Sequence, residues 1–191
     1  MLTLDVSLEC GILIRNGRRY MGCGKSTTGR RAARRLGVAY ADTDTMVEQR
    51  EGASVNDIFH YEGESYFRKV EREVLDELIA RDEDMIISTG GGLPTCGDNM
   101  EQMNRAGVTV WIDRSAAQTA KRLSPYGRQK RPKLRGLSDE ELVEFMQRNM
   151  EERRAFYSQA HHHIEVDALS DYELSDRVGE IFRATKMIID N

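Results

Sequence analysis

The sequence predicts an α/β fold in which a parallel sheet is covered by helices on both faces, and three observations carry that prediction. Apolar runs of strand length alternate with stretches of helical periodicity, as in successive βαβ units. The runs at 11–14, 85–88 and 108–112 are almost wholly apolar, which suits strands buried on both sides rather than half-exposed ones. Three helix starts are written out as Ser115 with Gln118, Ser138 with Glu141 and Ser170 with Glu173, each the Ser-x-x-Glu/Gln spacing of a capping box.

Taken in order, Gly11, Ile12, Leu13 and Ile14 read as a first buried strand, and a helix follows over about 25–36. There Gly29, Ala32, Ala33 and Leu36 fall at i, i+3, i+4 and i+7, with Gly37 placed to cap the end. Residues 38–41 read as the second strand. A long helix over about 63–79 leads into the third, Met85, Ile86, Ile87 and Ser88, which ends in three consecutive glycines. Residues 108–112 form the fourth strand, and Ile164, Glu165 and Val166 a short last one before a C-terminal helix. Between two capped helices, residues 124–136 hold two prolines, two glycines and five Lys or Arg; they are too polar for a core and read as a flap. Leu2, Leu4, Val6 and Leu8 alternate as a half-exposed strand would.

The 191 residues are 39% hydrophobic with a net charge of −4, which suits one domain and gives no global drive toward nucleic acid. Cys10, Cys23 and Cys96 are odd in number and irregularly spaced, which argues against a disulfide framework or a zinc site. No basic segment precedes a long apolar run, and nowhere do eighteen apolar residues follow one another. A soluble cytoplasmic monomer is the expectation, without membrane or nucleic-acid partners.

Gly22, Cys23, Gly24, Lys25, Ser26 and Thr27 stand between a strand and a helix, where backbone N–H groups and the positive helix end cradle phosphates. In such a P-loop Lys25 reaches the β and γ phosphates of ATP while the Ser26 hydroxyl ligates Mg2+. One position departs from the pattern: the glycine expected five residues before Gly24 is Arg19, and Gly17 lies two residues too early. A loop with extra residues, a strained Arg19 and a glycine-rich turn of no function remain open readings.

The second strand runs into Asp42, Thr43 and Asp44, two carboxylates at the sheet edge where open α/β folds bind ligands. On an extended chain residues i and i+2 point the same way, so one carboxylate would face a metal and the other a substrate hydroxyl. The competing role for Asp44 is a helix N-cap. Farther on, Arg68 and Glu71 lie at i, i+3, so the acid can hold the guanidinium fork toward a carboxylate ligand. The plainer reading is a surface ion pair.

These motifs, with Ser88, Thr89, Gly90, Gly91, Gly92, Leu93 and Pro94, then Arg131 and Pro132, then Arg153 with Tyr157, follow an order and spacing that resembles the shikimate kinases over about residues 20–167. The resemblance implies a three-layer αβα P-loop fold of the nucleoside monophosphate kinase type. Its features would be a five-stranded parallel sheet, a substrate-binding region over about 43–80 and a mobile lid over about 123–137. It implies ATP- and Mg2+-dependent phosphorylation of the 3-hydroxyl of shikimate, a step toward chorismate and the aromatic amino acids. Carried over residue by residue, it assigns Lys25 and Ser26 to phosphates and metal, Asp42 to the metal through water, and Asp44 to the attacking hydroxyl. Arg68, oriented by Glu71, and Arg153 would clamp the shikimate carboxylate, and Gly90, Gly91 and Gly92 would let the ring come close. Arg131 would swing over the transferring phosphoryl group, and Arg122 would stack on adenine. A gluconate-type or nucleotide kinase, and a P-loop module that binds without catalysis, are the alternatives; the paired arginines favour a carboxylate substrate.

Other features read more plainly. His161, His162 and His163 are internal and lead into a strand, as structural or solvated histidines. Arg30, Arg31, Arg34 and Arg35 avoid the small-residue stripe of their helix, as a solvated face does. Arg128, Lys130, Lys133 and Arg135 join Arg131 in a basic flap that a polyphosphate would draw closed. Trp111 and the methionines fill the core, and Cys23 at a helix start is a candidate reactive thiol.

Overall fold

A computed structural model of the chain describes residues 10–15, 26–123, 128 and 134–189. Five strands, β1 (Cys10–Arg15), β2 (Ala39–Asp42), β3 (Met85–Ser88), β4 (Val108–Asp113) and β5 (His162–Glu165), form one sheet in the order β2-β3-β1-β4-β5. Eight α-helices among the described residues complete it: α1 (Ser26–Leu36), α2 (Thr43–Glu51), α3 (Val55–Tyr61), α4 (Glu64–Ala80), α5 (Asn99–Ala106), α6 (Ala116–Arg122), α7 (Asp139–Tyr157) and α8 (Asp171–Ile189).

Strand β3 shows why the sheet needs cover on both sides. All four of its residues are buried, and alternation sends Met85 and Ile87 to one face and Ile86 to the other. On the first face they meet Val47 of α2, Phe59 of α3, Phe67, Val74 and Leu78 of α4, and Met103 of α5. On the second, Ile86 joins Val110 and Ile112 of β4, Ala32 and Ala33 of α1, and Leu174, Val178 and Phe182 of α8. The small-residue stripe of α1 is therefore its buried face, whereas Arg30, Arg31, Arg34 and Arg35 are exposed, with Arg35 paired to Asp176. A third cluster joins Leu123 and Leu134 to α6 and α7 through Ala116, Ala120, Leu142 and Met146, fixing both ends of the basic segment.

The expected helix starts are all present. Gln118 N–H donates to Ser115 Oγ at 3.3 Å, Ser138 and Glu141 form the complete reciprocal box, and Ser170 N–H donates to Glu173 at 2.8 Å. Gly37 adopts φ +70°, the left-handed turn that ends α1 and that a residue with a Cβ resists.

One expectation fails. The pairs β2–β3 and β4–β5 are parallel, but β1 is antiparallel to both its neighbours, with Ile12 opposite Ser88 and Val110 and Ile14 opposite Ile86 and Val108. The sheet is mixed, not all parallel. Periodicity could not reveal this, because an apolar run fills a central slot equally well in either direction and saturates its backbone hydrogen bonds both ways. Arg15 consequently ends beside Met85, at the edge where β2 and β3 begin. The short strand expected at 164–166 runs from His162 to Glu165, and α3 and α5 add to the expected elements, as does α2, which only the capping reading of Asp44 implied.

Candidate active site

The site residues that fall in the described chain gather where β2 and β3 end. Asp42 closes β2 opposite Ser88, and Tyr40 donates to Ser88 Oγ at 3.0 Å and to Asp42 Oδ2 at 3.3 Å. Helix α2 begins at the next residue, so Asp42 is its N-cap and accepts from Thr45 N–H at 3.2 Å. This corrects two expectations. The capping aspartate is Asp42 rather than Asp44, and the two carboxylates do not share an extended strand, because Asp44 already sits in the first turn of α2.

That turn aims Asp44 at the glycine run. A Cβ built on Gly90 would stand 2.5 Å from Asp44 Oδ1 and 2.7 Å from Glu71 Oε1, so the absence of a side chain here is what admits the two acids. Gly90 N–H donates to the buried Thr43 Oγ1 at 3.0 Å, tying the run to the start of α2. Thr43 was not foreseen as a site residue; its only signal is a hydroxyl flanked by the two aspartates. Gly90 O and Gly92 O accept from Leu93 N–H and Thr95 N–H, both at 3.1 Å, which folds the run into the short 3-10 turn Leu93–Thr95.

Arg68 and Glu71 lie on α4, and the surface-pair reading does not survive. Glu71 is 1% exposed and Arg68 14%, with Arg68 Nη1 donating to Glu71 Oε2 at 2.7 Å and Nη2 reaching Glu64 at 3.4 Å. The guanidinium carbon sits 5.2 Å from the Phe67 ring centroid and 5.8 Å from that of Phe59. A charge so placed in a low-dielectric wall is oriented, not free to wander.

Arg153 lies on α7, half-buried and one turn before Tyr157, whose hydroxyl donates to Gly91 O at 2.5 Å. Arg122, at the end of α6, is held by Asp171 of α8 through two contacts of 2.9 and 2.8 Å. The guanidinium beside it holds the Asp171 carboxyl below its usual range. Thr27 is exposed in the first turn of α1, which Ser26 opens. Gly22, Cys23, Gly24, Lys25 and Arg131 lie outside the described residues, as do Arg19 and most of the basic flap.

No group of three His, Cys, Asp or Glu able to hold a metal occurs among the described residues. His161 instead accepts from Thr109 N–H at 3.2 Å, and His163 contacts Asp113 at 2.9 Å, as structural histidines do. No described helix is long and apolar enough to cross a membrane.

The family profile described as Shikimate kinase matches residues 21–183. The shikimate kinase of Phocaeicola vulgatus is 42% identical over 152 residues, 80% of this chain and 86% of the relative. That of Persephonella marina is 33% identical over 159 residues, 83% of this chain and 92% of the relative. Among solved structures, shikimate kinase from Bacteroides thetaiotaomicron superposes with a TM-score of 0.75 at 37% identity, covering 87% of this chain and 96% of that one. The Acinetobacter baumannii shikimate kinase, solved in complex with shikimate, gives 0.72 at 29% identity, covering 85% and 88%.

Proposed function

Since the chain belongs to the shikimate kinase family, we propose that it transfers the γ-phosphoryl group of ATP to the 3-hydroxyl of shikimate, giving 3-phosphoshikimate and ADP. The observation that carries the reading is the buried Arg68–Glu71 pair beside a glycine run that Asp44 also faces. A guanidinium oriented by an acid at 2.7 Å suits a planar carboxylate, and a carboxylate ligand separates this substrate from a sugar or a nucleobase.

The chemistry asks mainly for position and charge, because phosphoryl transfer through a loose transition state needs little covalent help. Arg68 and Arg153 hold the shikimate carboxylate, which sets the ring against Gly90, Gly91 and Gly92. Asp44 then faces the attacking hydroxyl; it orients the nucleophile and accepts its proton as the bond to phosphorus forms. Gly22, Cys23, Gly24, Lys25, Ser26 and Thr27 receive the phosphates, Arg131 covers the transferring group, and Arg122 lies against the adenine. Asp42 fits a magnesium ion held through water: its oxygens are hard donors at the sheet edge, and although Oδ1 accepts the capping bond and Oδ2 the Tyr40 hydroxyl, a carboxylate oxygen can accept a second hydrogen bond, here from a metal-bound water. Bound there with Ser26, the metal supplies positive charge to the β and γ phosphates. The unit is a single domain and a monomer, with its substrate region over about 43–80 and its lid over about 123–137.

A coupled ADP-release assay offering shikimate, gluconate and nucleoside monophosphates in parallel tests the assignment. Turnover on shikimate alone, abolished by chelation and restored by Mg2+, is expected. Turnover on gluconate or a nucleotide but not on shikimate would overturn it.

A further inference from the structure

We infer that Tyr157 is a positioning residue for the substrate site, its hydroxyl fixing the Gly91 peptide against which the ring of shikimate is seated. The inference rests on the function proposed above and adds a residue to it. Tyr157 is 3% exposed, at the last turn of α7, and its hydroxyl donates to Gly91 O at 2.5 Å. Its ring is oriented independently of that bond. It stacks on Trp111 at 6.0 Å with an interplanar angle of 27°, and Trp111 stacks in turn on His163 at 4.1 Å.

Glycine has no side chain by which a run of three could be steered, so only its peptide groups can be held. Gly90 N–H is held by Thr43 of α2, and the Gly90 and Gly92 carbonyls by the following 3-10 turn. The Gly91 carbonyl is held from α7, across the sheet edge from α2 and α4. The same bond ties α7 down one turn beyond Arg153, so it registers one arm of the proposed carboxylate clamp against the floor of the site. Removing the hydroxyl leaves the ring in its stack and a buried carbonyl without this donor, and the run turns to find another partner.

The test is steady-state kinetics of Tyr157→Phe beside the wild type, with melting curves for both. KM for shikimate is expected to rise about three- to tenfold, the size of one neutral hydrogen bond, with KM for ATP within about twofold. Trp111→Phe keeps the hydroxyl and an aromatic partner for its ring, and is expected to lower the melting temperature while raising KM for shikimate less than Tyr157→Phe does. If wild type turns over shikimate and Tyr157→Phe shows no change in its KM, or both KM values rise together, the inference falls while the proposed function stands. A wild type inert toward shikimate overturns both. Should Tyr157→Phe fail to fold, a fluorinated tyrosine at position 157 keeps ring and hydroxyl but lowers the hydroxyl pKa. KM for shikimate then rises with pH in the labelled protein more than in wild type, and parallel pH profiles overturn the inference.

Discussion

Asp44 and Glu71, from two different helices, meet at Gly90: their carboxylate oxygens lie 2.5 and 2.7 Å from where a Cβ on that residue would stand. A methyl group there must push one acid away, and Glu71 is the one locked by Arg68. Gly90→Ala is therefore expected to lower stability by about 1–3 kcal/mol. It should also raise KM for shikimate more than KM for ATP, read by thermal melts and initial rates on the same preparation.

Asp44→Asn separates chemistry from folding. Because Asp42 caps α2, Asp44→Asn leaves the cap in place, and the favourable charge it takes from the first turn is worth about 0.3–1 kcal/mol. Turnover is expected to fall by about 10²- to 10⁴-fold. Unchanged kcat in rapid-mixing or coupled assays removes Asp44 from the mechanism.

Arg68→Ala should weaken shikimate binding and spare ATP, measured by titration calorimetry with each ligand alone. It also takes the guanidinium away from the buried Glu71 carboxylate, so a stability loss of about 3–5 kcal/mol is expected. Replacing both residues, Arg68→Met with Glu71→Leu, should recover much of that stability and none of the binding. Recovery of binding would show that the pair acts as packing.

The Arg122–Asp171 pair makes a prediction about acid. Asp171 has its carboxyl pKa lowered from 3.8 by the Arg122 hydrogen bond, so the folded state binds that proton less readily than the unfolded one. Its stabilisation is complete above the unfolded value and disappears as pH falls through the lower folded one. Both side chains are partly exposed, so Asp171→Asn should cost only about 0.5 kcal/mol at pH 7. In denaturant titrations the difference from wild type should vanish in strong acid.

Ser138→Ala breaks the reciprocal cap of α7, the helix that carries Arg153 and Tyr157. A loss of about 0.5–2 kcal/mol is expected, with KM for both substrates unchanged, since the cap lies at the far end of the helix. A shift in KM for shikimate would mean that fraying at Ser138 reaches the site.

The order of elements was legible because it rests on local chemistry. Capping serines, a small-residue stripe and buried four-residue runs report on neighbours three or four positions away, and each stands in the structure where its pattern placed it. Shikimate kinase membership was legible for a related reason: its motifs are short and follow one another in a fixed order and spacing, some at strand ends, as Asp42 and Ser88 are, and some on helices, as Arg68, Glu71, Arg153 and Tyr157 are.

The sequence by itself determined which residues are apolar, capped or glycine, and hence the layers of the fold and the family. Tertiary structure decided three things that spacing cannot carry. It set the direction of β1, since alternation and hydrogen-bond capacity are the same for a strand run either way. It made Arg68–Glu71 a buried pair by packing α4 under Phe59 and against Gly90, where i, i+3 spacing alone describes a surface pair equally well. It also brought Tyr157 to Gly91, residues 66 positions apart, because only the closing of α7 onto the sheet edge makes a hydroxyl and a carbonyl neighbours.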